Sequence, residues 1–152
     1  MKKLLVSMCL VLTLILTSIP VFAYTEQTLD SFNQDSSGKV TFEQYAFNND
    51  TYYFFNSVDK PQYQFNYPHS KMNIKIKVDW SNLPNAGTRY VRVNIGQVNG
   101  IAYPVWVDLF QTSGSKTVTS TYYPNVNGPF YIEIIGVGLS GSNIKVTGEV
   151  YP

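Results

Sequence analysis

Asn33, Asp35, Ser37 and Gly38 fall within "FNQDSSGKVTFEQY", residues 32–45, with oxygen-bearing side chains at every second position, then a glycine, then Val40. That is the order of an EF-hand calcium loop, which alternates ligands, turns sharply at a glycine and then places an apolar residue. Counting Asn33 as the first position puts Gln44 at the twelfth, where such a loop needs a bidentate Glu. Asp35 is the one full carboxylate in register, and Glu43 is a residue out of place. Asn33, Asp35 and Ser37 are therefore a weak calcium set, with an expected affinity no tighter than about millimolar. The bland alternative is an Asp/Ser/Gly turn leading into a strand. No other metal or cofactor site is expected, because zinc needs three or four His, Cys or acidic ligands.

Catalytic sets are equally thin. His69 is the single histidine; it lies in "NYPHSK", and no glycine-flanked serine accompanies it as a nucleophile. Asp79, Asp108 and Glu133 sit on outward positions of strand-like segments, and two such acids across a groove are what a glycosidase uses. Isolated outward acids more often keep a sheet face wet. A non-enzyme is expected, with a small hydrolase using Asp79 and Asp108 as the rival.

Aromatic residues are the stronger signal: twelve Tyr, nine Phe and two Trp. "TYYFF", "YQFNY" and "TYY" place rings at adjacent positions, which point to opposite faces of a strand, so one core face cannot hold them all. In "PVWVDLF", Trp106 falls out of phase with Val105, Val107 and Leu109 and in phase with Asp108 and Phe110. An indole on a wet sheet face suits a sugar ring, whose C–H face stacks on it, or a protein partner. A bulge at Pro104, or a strand covered on both faces, would bury it instead. Trp106, Phe110, Asp108, Tyr122 and Tyr123 form the candidate ligand-binding set.

Strands must position these groups. "KMNIKIKVDW" alternates Met72, Ile74, Ile76, Val78 and Trp80 against Asn73, Lys75, Lys77 and Asp79, the period of a half-buried strand. "YVRVNI", "PVWVDLF", "FYIEII" and "NIKVTGEV" repeat the pattern, with weaker strands at 40–47, 51–55, 62–67 and 116–122. Met72 to Trp80 in phase, with Val91, Val93 and Ile95, are the expected core. Lys75 and Lys77, with Arg92, would make one face locally basic. Turn chemistry separates the strands, as at Val98-Asn99-Gly100 and Ser140-Gly141. A helix is expected only at 26–32. The fold class is all-β: a single antiparallel β-sandwich, jelly-roll or immunoglobulin-like.

The first 23 residues, "MKKLLVSMCLVLTLILTSIPVFA", have the charged start, apolar run and small residue before cleavage of a secretory signal peptide, with cleavage expected after Ala23. The only cysteine, Cys9, falls within it, so residues 24–152 form one domain without disulfides, stabilised by its core. Without Lys2 and Lys3 the nine remaining basic residues stand against ten acidic ones, a net charge of −1. That balance leaves no basic footprint for nucleic acid.

"GPFYIEIIGVGLSGSNIKVTGEV", residues 128–150, resembles the closing hairpin of the secreted bacterial pre-peptidase C-terminal type of β-sandwich. There a glycine introduces an aromatic-rich strand and a Gly-Ser turn leads to the last one. The resemblance implies a jelly-roll-like accessory domain of exported proteins. The expectation is a secreted or cell-surface monomer that binds an extracellular glycan or an envelope protein, with membrane contact through exposed aromatics as a third reading.

Overall fold

The computed structural model describes residues 28–48, 52–85, 87–124 and 128–152, and the leader read in the sequence lies outside them. Among the described residues ten strands follow in order: β1 Ser31–Gln34, β2 Val40–Asn48, β3 Tyr52–Asn56, β4 Phe65–Asn66 and β5 Met72–Ser81. β6 Tyr90–Gln97, β7 Ala102–Asp108, β8 Gly114–Tyr122, β9 Pro129–Val137 and β10 Ser142–Tyr151 complete them. Sheet A has the order β1-β2-β10-β5-β8, and sheet B the order β3-β9-β6-β7 with β4 also on β9. All pairings are antiparallel. The chain changes sheet at β2–β3, β4–β5, β5–β6, β7–β8, β8–β9 and β9–β10 while the two sheets stack on each other. That alternation is the jelly-roll arrangement.

The five strongly alternating segments are β5, β6, β7, β9 and β10. Met72, Ile74, Ile76, Val78, Val91, Val93 and Ile95 are buried in one core with Phe42, Phe55, Phe130 and Val150. Trp80 continues the phase but only borders this core, partly exposed at the end of β5. Asn99 takes a φ of 64°, closing the β6–β7 turn through Gln97 N–H to the Ile101 carbonyl (3.0 Å). Asn tolerates this left-handed conformation better than most residues.

Four expectations need correction. Ser31 and Phe32 belong to β1, where helix was expected from 26; Glu26 and Gln27 lie outside the described residues. Pairing with β2 and a hydrogen bond from Asp30 N–H to the Glu43 carbonyl (2.9 Å) outweigh local helix preference. The expected strand at 62–67 is split into a 3₁₀ turn, Pro61–Tyr63, and the two residues of β4. Pro61 presets that turn, and the Gln64 amide donates to the Val58 carbonyl across it (2.5 Å). Residues 128–150 form two strands but no hairpin, because β9 lies in sheet B and β10 in sheet A.

The fourth is the basic stripe. On the outer face of sheet A, Lys75 faces Glu149 (3.9 Å), Lys77 pairs with Asp79 (2.8 Å) and Lys145 with Glu43 (2.8 Å). Arg92 is in the other sheet, so the cations are matched and dispersed.

Tyr67 gives the core a pH signature. It is 1% exposed, donates its hydroxyl to the Lys71 carbonyl (2.9 Å), and burial pushes its phenol up to about 12. An unfolded chain releases this proton near pH ~10. Between about pH 10 and 12 the unfolded state therefore holds fewer protons, and stability falls as pH rises. In Tyr67→Phe the decline of melting temperature across that window should be shallower. An unchanged slope would show that Tyr67 ionises in the fold as it does in the unfolded chain.

Candidate ligand-binding face

β6 is the central strand of the site. It pairs with β7 on one side and β9 on the other, so each outward residue of β6 has an outward neighbour on both. Arg92 stands between Trp106 and Ile135, Asn94 between Pro104 and Glu133, and Gly96 between Ala102 and Tyr131. The register runs unbroken through Pro104, so no bulge shifts Trp106. β7 is an edge strand, where a proline without an N–H is tolerated. Trp106 is 46% exposed, as its phase predicts.

The indole is held on its flanks. The Arg92 guanidinium carbon lies 5.0 Å from its centroid, and the Tyr90 ring centroid is 5.0 Å away at 52°. The contact between cation and ring contributes about 0.5–1 kcal/mol at such a site, and it fixes a ring that would otherwise sample several rotamers. One step further along β6 the Asn94 side-chain amide donates to Glu133, and the Asn56 amide donates to the other oxygen of the same carboxylate at 3.5 Å. Three strands thus tie one carboxylate in place. Beyond it Tyr131 lies flat across β6: a Cβ added at Gly96 would come within 2.3 Å of its ring. Burial, aided by the Glu133 charge, raises the Tyr131 phenol above the ordinary range.

The face is therefore a strip with an aromatic platform at one end, an amide–carboxylate patch in the middle and a tyrosine ring at the other. Arg92 and Gly96 are four residues apart on β6, so the strip spans roughly 14 Å at about 3.4 Å per residue. Flat rings and planar polar groups in this order can stack on the C–H faces of a polyhydroxylated chain and bond its hydroxyls.

Of the residues expected from sequence, the structure brings Trp106 and Asp108 to this face. Phe110, 74% exposed, follows β7 and borders a different hollow, with Trp80 and Lys116. Tyr122 is in the inward phase of β8, 5.0 Å from the Tyr103 ring, and its hydroxyl donates to the Pro104 carbonyl, so it braces the edge between the sheets. Tyr123, 69% exposed, lies past the end of β8. Sequence reading missed Tyr90, Asn94, Tyr131 and Asn56 and gave Arg92 and Glu133 other roles; their alternation was visible, but not that β6 lies between β7 and β9.

The rival pair is split by the register. Asp79 faces outward from sheet A and Asp108 outward from sheet B. Burial works against the Asp79 charge, but hydrogen bonds from Lys77 and Ser115 outweigh it and hold the carboxyl below the usual range. A general acid needs the opposite shift.

The calcium-like stretch is the turn between β1 and β2. Oδ1 of Asp35 accepts from Ser37 Oγ (2.6 Å), Ser37 N–H (2.8 Å) and Lys39 N–H (3.1 Å), and Gly38 takes a φ of 83°. The Ser37 hydroxyl above all, and the two N–H groups with it, lower the Asp35 carboxyl below its ordinary value. Asn33 is in β1, opposite Thr41. Among the described residues no group of three or more His, Cys, Asp or Glu is placed to hold a metal.

No protein-family model matches the chain, and no curated protein matches it in sequence. Among solved structures it is similar to TmCBM61 in complex with beta-1,4-galactotriose, at 12% identity and a TM-score of 0.41 over 74% of this chain. It spans 62% of that molecule, less than two thirds. It is also similar to the carbohydrate-binding module CBM6cm-2 from Cellvibrio mixtus lichenase 5A in complex with cellotriose, at 13% identity and a TM-score of 0.43. That match covers 84% of this chain and 91% of the other. A family 16 carbohydrate-binding module matches at 9% identity and a TM-score of 0.44, over 77% and 86% of the two chains.

Proposed function

We propose that this chain is an exported, non-catalytic module that binds a glycan, laid along β6 across the outer face of sheet B. The observation that carries the reading is the Trp106 indole, open to solvent on a sheet face yet clamped by Arg92 and Tyr90. A pre-positioned ring loses little entropy when it is covered, so more of the contact appears as affinity. The Asn56–Glu133–Asn94 patch supplies acceptors and donors for hydroxyls, and Tyr131 bounds the far end. A strip of this length fits several linked sugars better than one, so affinity should climb with oligosaccharide length and then level off.

The test is a glycan-array and pull-down screen of residues 24–152, followed by calorimetry with hits of increasing length. Retention of neutral oligosaccharides with length-dependent affinity supports the reading. Capture of an envelope protein with no glycan retained overturns it in favour of a protein-binding face. Turnover of a polysaccharide that Asp108→Asn abolishes overturns its non-catalytic half.

A further inference from the structure

We propose that Trp80 and Phe110 form a second binding site, which takes one sugar ring at a chain end, apart from the strip on sheet B. Its wall is a hollow of about 220 Å³ bordered by Trp80, Asp108, Phe110, Gln111, Ser115 and Lys116. Ligand pockets for drug-sized molecules run to roughly 300–1,000 Å³, so this one has room for a single ring.

Phe110 is the most exposed large apolar side chain of the described residues, yet its backbone is pinned. Arg89 donates to the Phe110 carbonyl (2.9 Å), the Trp80 indole N–H to that of Gln111 (2.9 Å) and the Leu83 N–H to that of Thr112 (2.9 Å). Three successive carbonyls held from three directions make the connection between β7 and β8 rigid, and with it the base of the Phe110 ring. An exposed ring on a rigid base is a costly surface for a monomer to keep, and an economical one for a ligand to cover.

Gly114 keeps the indole reachable. It pairs with Trp80 across β5 and β8, and a Cβ there would lie 2.8 Å from Cζ2 of the indole. Any side chain at this position would push the ring or cover its edge. A second hollow, about 260 Å³, opens beside the same glycine and indole toward Tyr45, Asn143 and Lys145. Two charged side chains around the first hollow are unspent. The Asp108 carboxylate makes no hydrogen bond or ion pair among the described residues, and the Lys116 ammonium, 5.3 Å from the Phe110 centroid, meets no carboxylate there. Asp108 is placed to accept from adjacent hydroxyls while the Lys116 ammonium donates to others. An aromatic wall with acceptor and donors at its rim matches a pyranose end.

This proposal rests on the glycan-binding reading, and the two are separable because the chain has two tryptophans, one in each site. The indole N–H resonances of ¹⁵N-labelled residues 24–152 report them separately, assigned with Trp106→Phe. The probes are methyl glucosides, galactosides and mannosides, then an oligosaccharide retained in the array. A methyl glycoside should shift the Trp80 resonance and leave that of Trp106 in place. Phe110→Ala should weaken this response about tenfold, as losing a stacked ring does, while Phe110→Tyr keeps it. If the oligosaccharide moves Trp106 but neither it nor any glycoside moves Trp80, the second site is refuted and the face reading stands. If neither resonance moves with any sugar, both are refuted.

Discussion

Trp106→Ala should abolish or nearly abolish glycan binding to the outer face of sheet B while leaving the fold intact. Among the described side chains, the indole is the one large ring of that face that is nearly half open, and its cross-strand neighbours are already arranged around it. Truncating a central aromatic anchor of this kind costs about 2 kcal/mol or more, roughly a thirtyfold rise in Kd. Stability should change little, because an exposed side chain on an edge strand leaves no cavity behind; the lost contact with Arg92 is worth about 0.5–1 kcal/mol. Calorimetry and a thermal melt on the same sample separate the two effects. Unchanged affinity with an unchanged melt would remove Trp106 from the site. A collapse of both would mean that the indole is a structural brace.

Gly148→Ala should have the largest effect on stability. Gly148 lies mid-strand in β10, between Phe42 of β2 and Ile76 of β5, and its bare Cα supports the Phe42 ring. A Cβ there would sit 1.9 Å from Cζ of that ring. Phe42 is buried in the core and has no free volume to retreat into. Overpacking of this kind costs about 1–3 kcal/mol and occasionally more, which should appear as a fall in melting temperature of several degrees. The double variant with Phe42→Leu should recover part of the loss, since the two residues are in direct contact and do not add independently. Loss that adds fully in the double variant would place the strain elsewhere. Tyr131 over Gly96 repeats this packing on the outer face, but there the ring has solvent to move into.

The sandwich was legible because its strongest strands are wet on one side. Lys75 and Lys77 alternating with Ile74, Ile76 and Val78 announce both the strand and its buried face, and the same logic placed Trp106 outward. Pairing order is a different kind of information. Nothing in "YVRVNI" says that it will lie between "PVWVD" and "FYIEII", so the meeting of Arg92, Trp106 and Tyr131 on one face could not be read. Phe110 illustrates the limit of phase: it continues the alternation of β7 on paper, but the strand ends at Asp108 and the chain turns toward β8. At Pro61 the signal was present and overlooked, since proline after Asp59-Lys60 favours a turn over a strand.

The central place of β10 in sheet A bears on how the molecule is made. β10 follows every other described strand in the sequence, yet it is flanked by β2 and β5 along nearly its whole length. Until it emerges from the ribosome, β1 and β2 share no edge with β5 and β8, and half the sandwich is two unconnected strips. A nascent chain lengthens at about 5–20 residues per second, and pairing so distant in sequence is intrinsically slow. Sheet B and the two strips can pair before β10 exists, so sheet A is the part of the fold that closes last.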